Sequence, residues 1–183
     1  MASRGLGNRR SIRIWIQFTV ALKENILENR PEYVYKRRCA VGAWRKNLLR
    51  IGNRYVAEMI AHSLKEDPDE CCGILAGKDE TVSQSYRITN TAASPYRYLM
   101  DPQEFLNADR DSETNGWEFL AFYHSHTHRA AYPSQTDVRM ALESGWLDIL
   151  YALVSLQDKE NPQVRLFHIM ESGDIVEEDF EVT

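Results

Sequence analysis

Two histidines one residue apart, followed ten residues later by an aspartate, are the part of this chain best able to do chemistry: His124-Ser125-His126 and Asp137. On an extended backbone, residues two apart project to the same face, so both imidazoles can point at one ion from the end of a strand. The stretch 127–136 is long enough to fold back and present Asp137 from the first turn of the next helix. Two imidazole nitrogens and a carboxylate oxygen form the donor set of a catalytic zinc site, with a fourth tetrahedral position left for water. Iron or nickel would accept the same donors; zinc is preferred where the chemistry needs a Lewis acid rather than redox. From residue types alone a plainer reading stays open, with the histidines as polar groups of a strand and Asp137 as part of a helix start.

A hydrolytic water needs a base. Glu70 follows a helical stretch and immediately precedes the apolar run Cys71–Ala76, so its carboxylate could take a proton beside the histidine strand and pass it to a leaving group. Ser134, three residues before Asp137, matches a helix N-cap, and its hydroxyl could instead reach an oxyanion. His128 reads as a rim residue, because a third histidine on the ion would occupy the water's position. His62 and His168 read as structural. Cys71 and Cys72 read as core residues, since no paired base is indicated.

The elements that must position these groups follow from periodicity. Leu48, Leu49 and Ile51 suggest a short strand, and Val56, Met59, Ile60 and Leu64 recur at helical spacing over about 54–66. Asp67-Pro68-Asp69 ends that helix. A strand over 71–76 and a neighbour over 82–89 are joined by a tight turn after Gly77. Asp101, with Pro102 and Glu104, starts a helix expected to end near Asp111. Trp117–Tyr123 is an aromatic-rich strand leading into the histidines. A helix runs from Ser134–Asp137 to Ser144, stopped by Gly145. Leu147–Leu156 is the most apolar strand and is expected at the centre of the sheet. Val164–Met170 and Ile175–Val182 form an antiparallel pair across Ser172-Gly173-Asp174. The pattern is α/β with mixed strand directions.

The chain has 183 residues and is 43% hydrophobic and 27% charged, enough for one buried core with some length to spare. Residues 1–50 carry 12 Lys and Arg against 3 Glu, whereas the whole chain has a net charge of −5, so a basic head precedes an acidic body. That body disfavours nucleic-acid binding. No apolar run is long enough to span a bilayer, and no small-residue cleavage site follows the apolar stretch 14–22, so neither membrane insertion nor export is expected. Three cysteines without a CxxC motif point to a reducing, cytoplasmic setting. Residues 1–47 read as a basic extension outside the core, with disorder or an upstream start site as alternatives and a helix expected near 14–29. Trp15 and Trp44 could pack it onto the body. The domain proper is 48–183. No pattern in the chain argues for a homodimer.

Taken together, Glu70-Cys71-Cys72-Gly73, His124-Ser125-His126 and Ser134-Gln135-Thr136-Asp137 resemble the JAMM (MPN-plus) zinc metallopeptidase family. The order and spacing match over about 48–182, except that Thr127 stands where many members have proline. The variant is most similar to the bacterial branch that releases cysteine from a ubiquitin-like sulfur-carrier protein. The resemblance implies a cytidine-deaminase-like mixed sheet between helices. It also implies zinc on His124, His126 and Asp137, Glu70 as general base, and Ser134 supporting the tetrahedral intermediate. The implied reaction is hydrolysis after a carrier's C-terminal Gly-Gly, a tail without side chains that can thread a narrow groove. Cleavage of polyubiquitin is not implied, since there is no room for the long insertions of the eukaryotic members. A non-catalytic binding scaffold of the same fold, or a zinc amidohydrolase acting on a non-protein amide, are the alternatives.

Overall fold

The computed structural model describes residues 48–183; the basic extension, its expected helix and both Trp15 and Trp44 lie outside the described residues. The elements run β1 (Leu49–Ile51), α1 (Asn53–Glu66), β2 (Cys72–Lys78), β3 (Thr81–Ile88), α2 (Pro102–Thr114), β4 (Glu118–His126), α3 (Gln135–Ser144), β5 (Leu150–Ser155), β6 (Gln163–Ile169), β7 (Ile175–Glu178) and β8 (Phe180–Val182). Among the described residues the strands form one sheet in the order β7-β6-β5-β4-β2-β3-β1-β8. The β4–β5 pair is parallel, while β2–β3, β2–β4, β5–β6 and β6–β7 are antiparallel. The mixed directions expected from the sequence are present, and every residue of β5 is buried, as its apolar run predicts.

Alternation divides the core into two layers. Cys72, Ile74, Phe122, Tyr151, Leu153 and Phe167 face α2 and α3, where Phe105, Met140 and Ala141 meet them. Leu75, Leu120, Tyr123, Ala152, Val154 and Leu166 face the opposite side with Tyr55 and Met59 of α1. Side chains buried as fully as Leu153 and Leu166 each contribute about 1.5–3 kcal/mol relative to exposure. His62 belongs to the α1 layer: its Nδ1 lies 2.9 Å from the Tyr123 hydroxyl. Burial first, then the Arg87 charge, lowers its pKa to about 4 and leaves it neutral. His168 is equally structural, its Nε2 lying 2.9 Å from the Leu147 carbonyl.

Local chemistry explains the element ends. Asp101 accepts from the N–H groups of Gln103 and Glu104, both at 2.9 Å, and starts α2 with Pro102 in its first turn. Glu104, placed by the sequence as a helix-start residue, turns its carboxylate to the Thr89 N–H and hydroxyl at 2.6 and 2.9 Å, tying α2 to the end of β3. The turn between β2 and β3 is two residues, Asp79 and Glu80, with φ of 49° and 57°, as a twisted hairpin of that loop length requires. The expected strand Ile175–Val182 is instead two. β7 pairs with β6, and β8, after the single residue Asp179, pairs in parallel with β1. Since β7 and β8 sit at opposite ends of the strand order yet one residue advances the chain only about 3.3 Å, the sheet curls until its edges meet at Asp179.

Gly73 shows what the Cys-Gly pair is for. A Cβ there would overlap the Tyr123 ring and the Tyr86 carbonyl oxygen, so β2 can lie between β3 and β4 only without a side chain at this position. Gly73→Ala is expected to destabilise the domain by about 3 kcal/mol, the upper part of the overpacking range. A chemical-denaturation midpoint close to that of the wild type would contradict this contact.

Candidate metal centre

Strand β4 continues beyond its aromatic part through His126, so both histidines belong to the sheet. Their even-numbered positions turn them to the α2–α3 side, while Tyr123 and Ser125 face the α1 side. There Ser125 accepts from the Cys71 N–H at 2.8 Å. The register pairs Cys72 with His124, and extending it by two residues brings Glu70 alongside His126. Asp137 arrives from the first turn of α3, because Ser134 and Asp137 form a reciprocal capping box. The Ser134 N–H donates to Asp137 Oδ2 at 2.6 Å, and the Asp137 N–H donates to Ser134 Oγ at 3.3 Å. Oγ accepts there, and the Ser134 hydroxyl also hydrogen-bonds the Asp137 carboxylate.

The three side chains converge. His124 Nε2 and His126 Nε2 are 3.3 Å apart, and they lie 3.5 and 3.4 Å from Asp137 Oδ1 and Oδ2 respectively. A tetrahedral zinc site with bonds of about 2.0–2.1 Å has ligand–ligand edges of about 3.3–3.4 Å, so the two imidazole nitrogens are spaced as such an ion needs, and the carboxylate turns one oxygen toward each of them. All three groups are buried. His126 Nδ1 lies 2.9 Å from the Ala130 carbonyl, which sets Nδ1 as the protonated nitrogen and leaves the Nε2 lone pair facing the cluster. His124 is held by its neighbour Tyr98, stacked at 4.6 Å between ring centroids. The donor set and its dimensions therefore fit a zinc ion.

The charges are tightly coupled. Burial disfavours the Asp137 carboxylate, but the facing His124 and the hydrogen bonds from both histidines and Ser134 hold its pKa well below the usual carboxylate range. Burial likewise disfavours a charged His124, yet the charge and hydrogen bond of Asp137 raise its pKa. A metal must displace the proton shared in this arrangement, so zinc binds more weakly as pH falls. Glu70 is 1% exposed, and neither carboxylate oxygen has a hydrogen-bond partner among the described residues. Burial raises its pKa, opposed by His124, His126 and Arg129.

His128 is exposed and stands outside the cluster. Cys71 and Cys72 are free, buried thiols whose pKa values burial raises, poor conditions for a nucleophile. Three residues near the centre carried no role in the sequence reading. Tyr98 stacks on His124, and Arg129 Nη2 lies 3.6 Å from Glu70 Oε1. Asn90 pins the backbone around Glu70, donating to the Glu70 carbonyl at 2.7 Å and accepting from the Leu99 N–H at 2.9 Å. For Tyr98 and Asn90 no sequence signal exists, because both act from an irregular loop. Arg129 follows directly on the histidine motif His124–His128 in the sequence.

A mixed sheet with helices on both faces, bearing two histidines and an aspartate at zinc-site spacing beside a buried glutamate, defines a metal-dependent hydrolase domain. The family described as prokaryotic homologues of the JAB domain matches residues 52–169, and the chain belongs to this family of JAMM-type zinc metallopeptidases. It is similar to the CysO-cysteine peptidase of Mycobacterium tuberculosis, 37% identical over 141 residues that cover 72% of this chain and 94% of that protein. A probable TtuB-protein conjugate cleaving protease of Thermus thermophilus is 36% identical over 101 residues, covering 55% of this chain and 68% of that protein. Among solved structures, a protein from Desulfitobacterium hafniense is similar with a TM-score of 0.64 and 32% identity, over 73% of this chain and 92% of that one.

Proposed function

We propose that residues 48–183 hydrolyse the bond after the C-terminal Gly-Gly of a ubiquitin-like sulfur-carrier protein, releasing cysteine, with zinc on His124, His126 and Asp137, Glu70 as general base and Ser134 as oxyanion donor. The observation that carries the reading is the buried Glu70 carboxylate, without a hydrogen-bond partner among the described residues, beside two histidines and an aspartate whose ligand atoms lie within 4.8 Å of one another. Similarity to the CysO-cysteine peptidase, over nearly all of that protein's length, supports the substrate class.

Bound there, zinc would supply a Lewis acid that polarises a carbonyl and acidifies water. Glu70 takes the proton of the attacking water as the oxygen bonds to the carbonyl carbon, and gives it to the leaving nitrogen as the C–N bond breaks. A raised pKa suits it to both halves of that transfer. Ser134 donates its hydroxyl hydrogen to the developing oxyanion. The water's two hydrogens and oxygen end on the cysteine amine and the carrier carboxylate, so the reaction balances. Among the described residues no helix is long and apolar enough to cross a membrane, and the buried free thiols support a cytoplasmic setting.

Incubating zinc-loaded protein with a carrier ending in Gly-Gly-Cys and measuring intact mass tests this. Loss of one cysteinyl residue, prevented by a chelator, is the expected result. An unchanged mass with zinc bound would overturn the proposal.

A further inference from the structure

Arg129 is an ion-pair partner of Glu70, and the mechanism above leaves it without a task. Its guanidinium stands 3.6 Å from Glu70 Oε1, beyond hydrogen-bond distance, while its side chain is 47% exposed. The backbone beneath it is fixed: the Arg129 carbonyl accepts from Ser155 Oγ at 2.7 Å, and the next carbonyl, Ala130, faces His126 Nδ1 at 2.9 Å. The position of Arg129 is thus set by β5 and by a residue of the metal cluster. A second arginine, Arg165, is committed elsewhere, donating to Glu177 Oε1 at 2.7 Å and to the Ala131 carbonyl at 3.2 Å. Arg129 therefore presents a fork of donors at the mouth of the site, anchored at its base and open at its tip.

The geometry of the leaving group says what such a fork would meet. In a linear adduct the departing nitrogen belongs to the last residue, and its free α-carboxylate carbon is only about 2.5 Å from that nitrogen. Since the base must come within about 3 Å of the same nitrogen to protonate it, the carboxylate falls within about 6 Å of Glu70, in the shell that Arg129 occupies. Guanidinium pairs with carboxylate by two parallel hydrogen bonds. In a lysine isopeptide the departing nitrogen is a side-chain amine, and no carboxylate lies that close. We infer that Arg129 recognises the free α-carboxylate of the departing C-terminal residue, so that the site favours linear, C-terminally extended carriers over lysine-linked conjugates.

The inference rests on the hydrolytic reading above, and the test separates the two. Zinc-loaded enzyme is given the same carrier ending in Gly-Gly-Cys as the free acid and as the C-terminal carboxamide. The wild type is expected to favour the acid in kcat/KM by about 10- to 100-fold, the range of a hydrogen bond to a charged group. In Arg129→Ala the acid-to-amide ratio falls to near one, and Arg129→Lys, which keeps the charge but loses the fork, retains part of the preference. An effect of Arg129 on Glu70 alone would act equally on both substrates and leave the ratio unchanged. A second readout needs no turnover: on a Glu70→Gln background, calorimetry should show tighter binding of the acid than of the amide, and Arg129→Ala should abolish the difference. Equal cleavage of acid and amide by the wild type, or an undiminished ratio in Arg129→Ala, overturns the inference while the hydrolase stands. Cleavage of neither substrate overturns both.

Discussion

Glu70→Gln is expected to lower kcat about a thousandfold while the protein still carries one zinc ion per chain. Glutamine keeps the shape of the side chain and its place beside His126, so packing is preserved at a position that is almost fully buried. What it loses is the ability to accept a proton, and positioned acid–base groups are worth about 10²–10⁴ in rate. The zinc ligands belong to other residues, so metal analysis should be unchanged. The decisive comparison is intact-mass turnover alongside metal content on the same preparation. A variant that retained a tenth of wild-type turnover with full zinc would remove Glu70 from the proton path.

His124→Ala should act one step earlier, on the metal itself. Two remaining donors cannot hold zinc as three do, and the gap opens beside Tyr98, the ring stacked on the imidazole. Two effects then combine, a cavity in a packed layer and the loss of ligand-linked stability. They can be separated by measuring melting temperature with zinc and with chelator. A ligand present at a thousand times its Kd stabilises the folded state by about 4 kcal/mol, or roughly 10–15 °C for a domain of this size. The wild type should show that difference and His124→Ala almost none, whatever its baseline. An equal response to zinc in both proteins would mean that the ion sits elsewhere.

What could be read from the chain, and what could not, divides along the sheet. The central strands announce themselves because burial on both faces demands unbroken apolar runs, as in Leu150–Ser155. The metal cluster is legible because His124 and His126 obey the period of a strand and Asp137 the geometry of a capping box, both local rules. The end of the sheet is not legible. Ile175–Val182 looks like one strand, and only the closing of the edges, a property of the whole sheet, divides it at Asp179. Glu104 has the right position for a helix start, but a partner distant in sequence, Thr89 at the end of β3, takes its carboxylate. Tyr98 and Asn90 shape the centre from a loop with no period, so nothing short of the fold could place them.

Bringing the first and last strands together has a further effect. A sheet left open would expose two long rows of unpaired backbone groups, each a template on which another chain could add and begin to aggregate. Here the free margins belong to short strands, β7 and β8, of four and three residues. Glu178 and Glu181 lie on them and Asp179 between them, so an approaching strand meets like charge from its own copy. Crowded solutions of this protein should therefore resist strand-by-strand polymerisation.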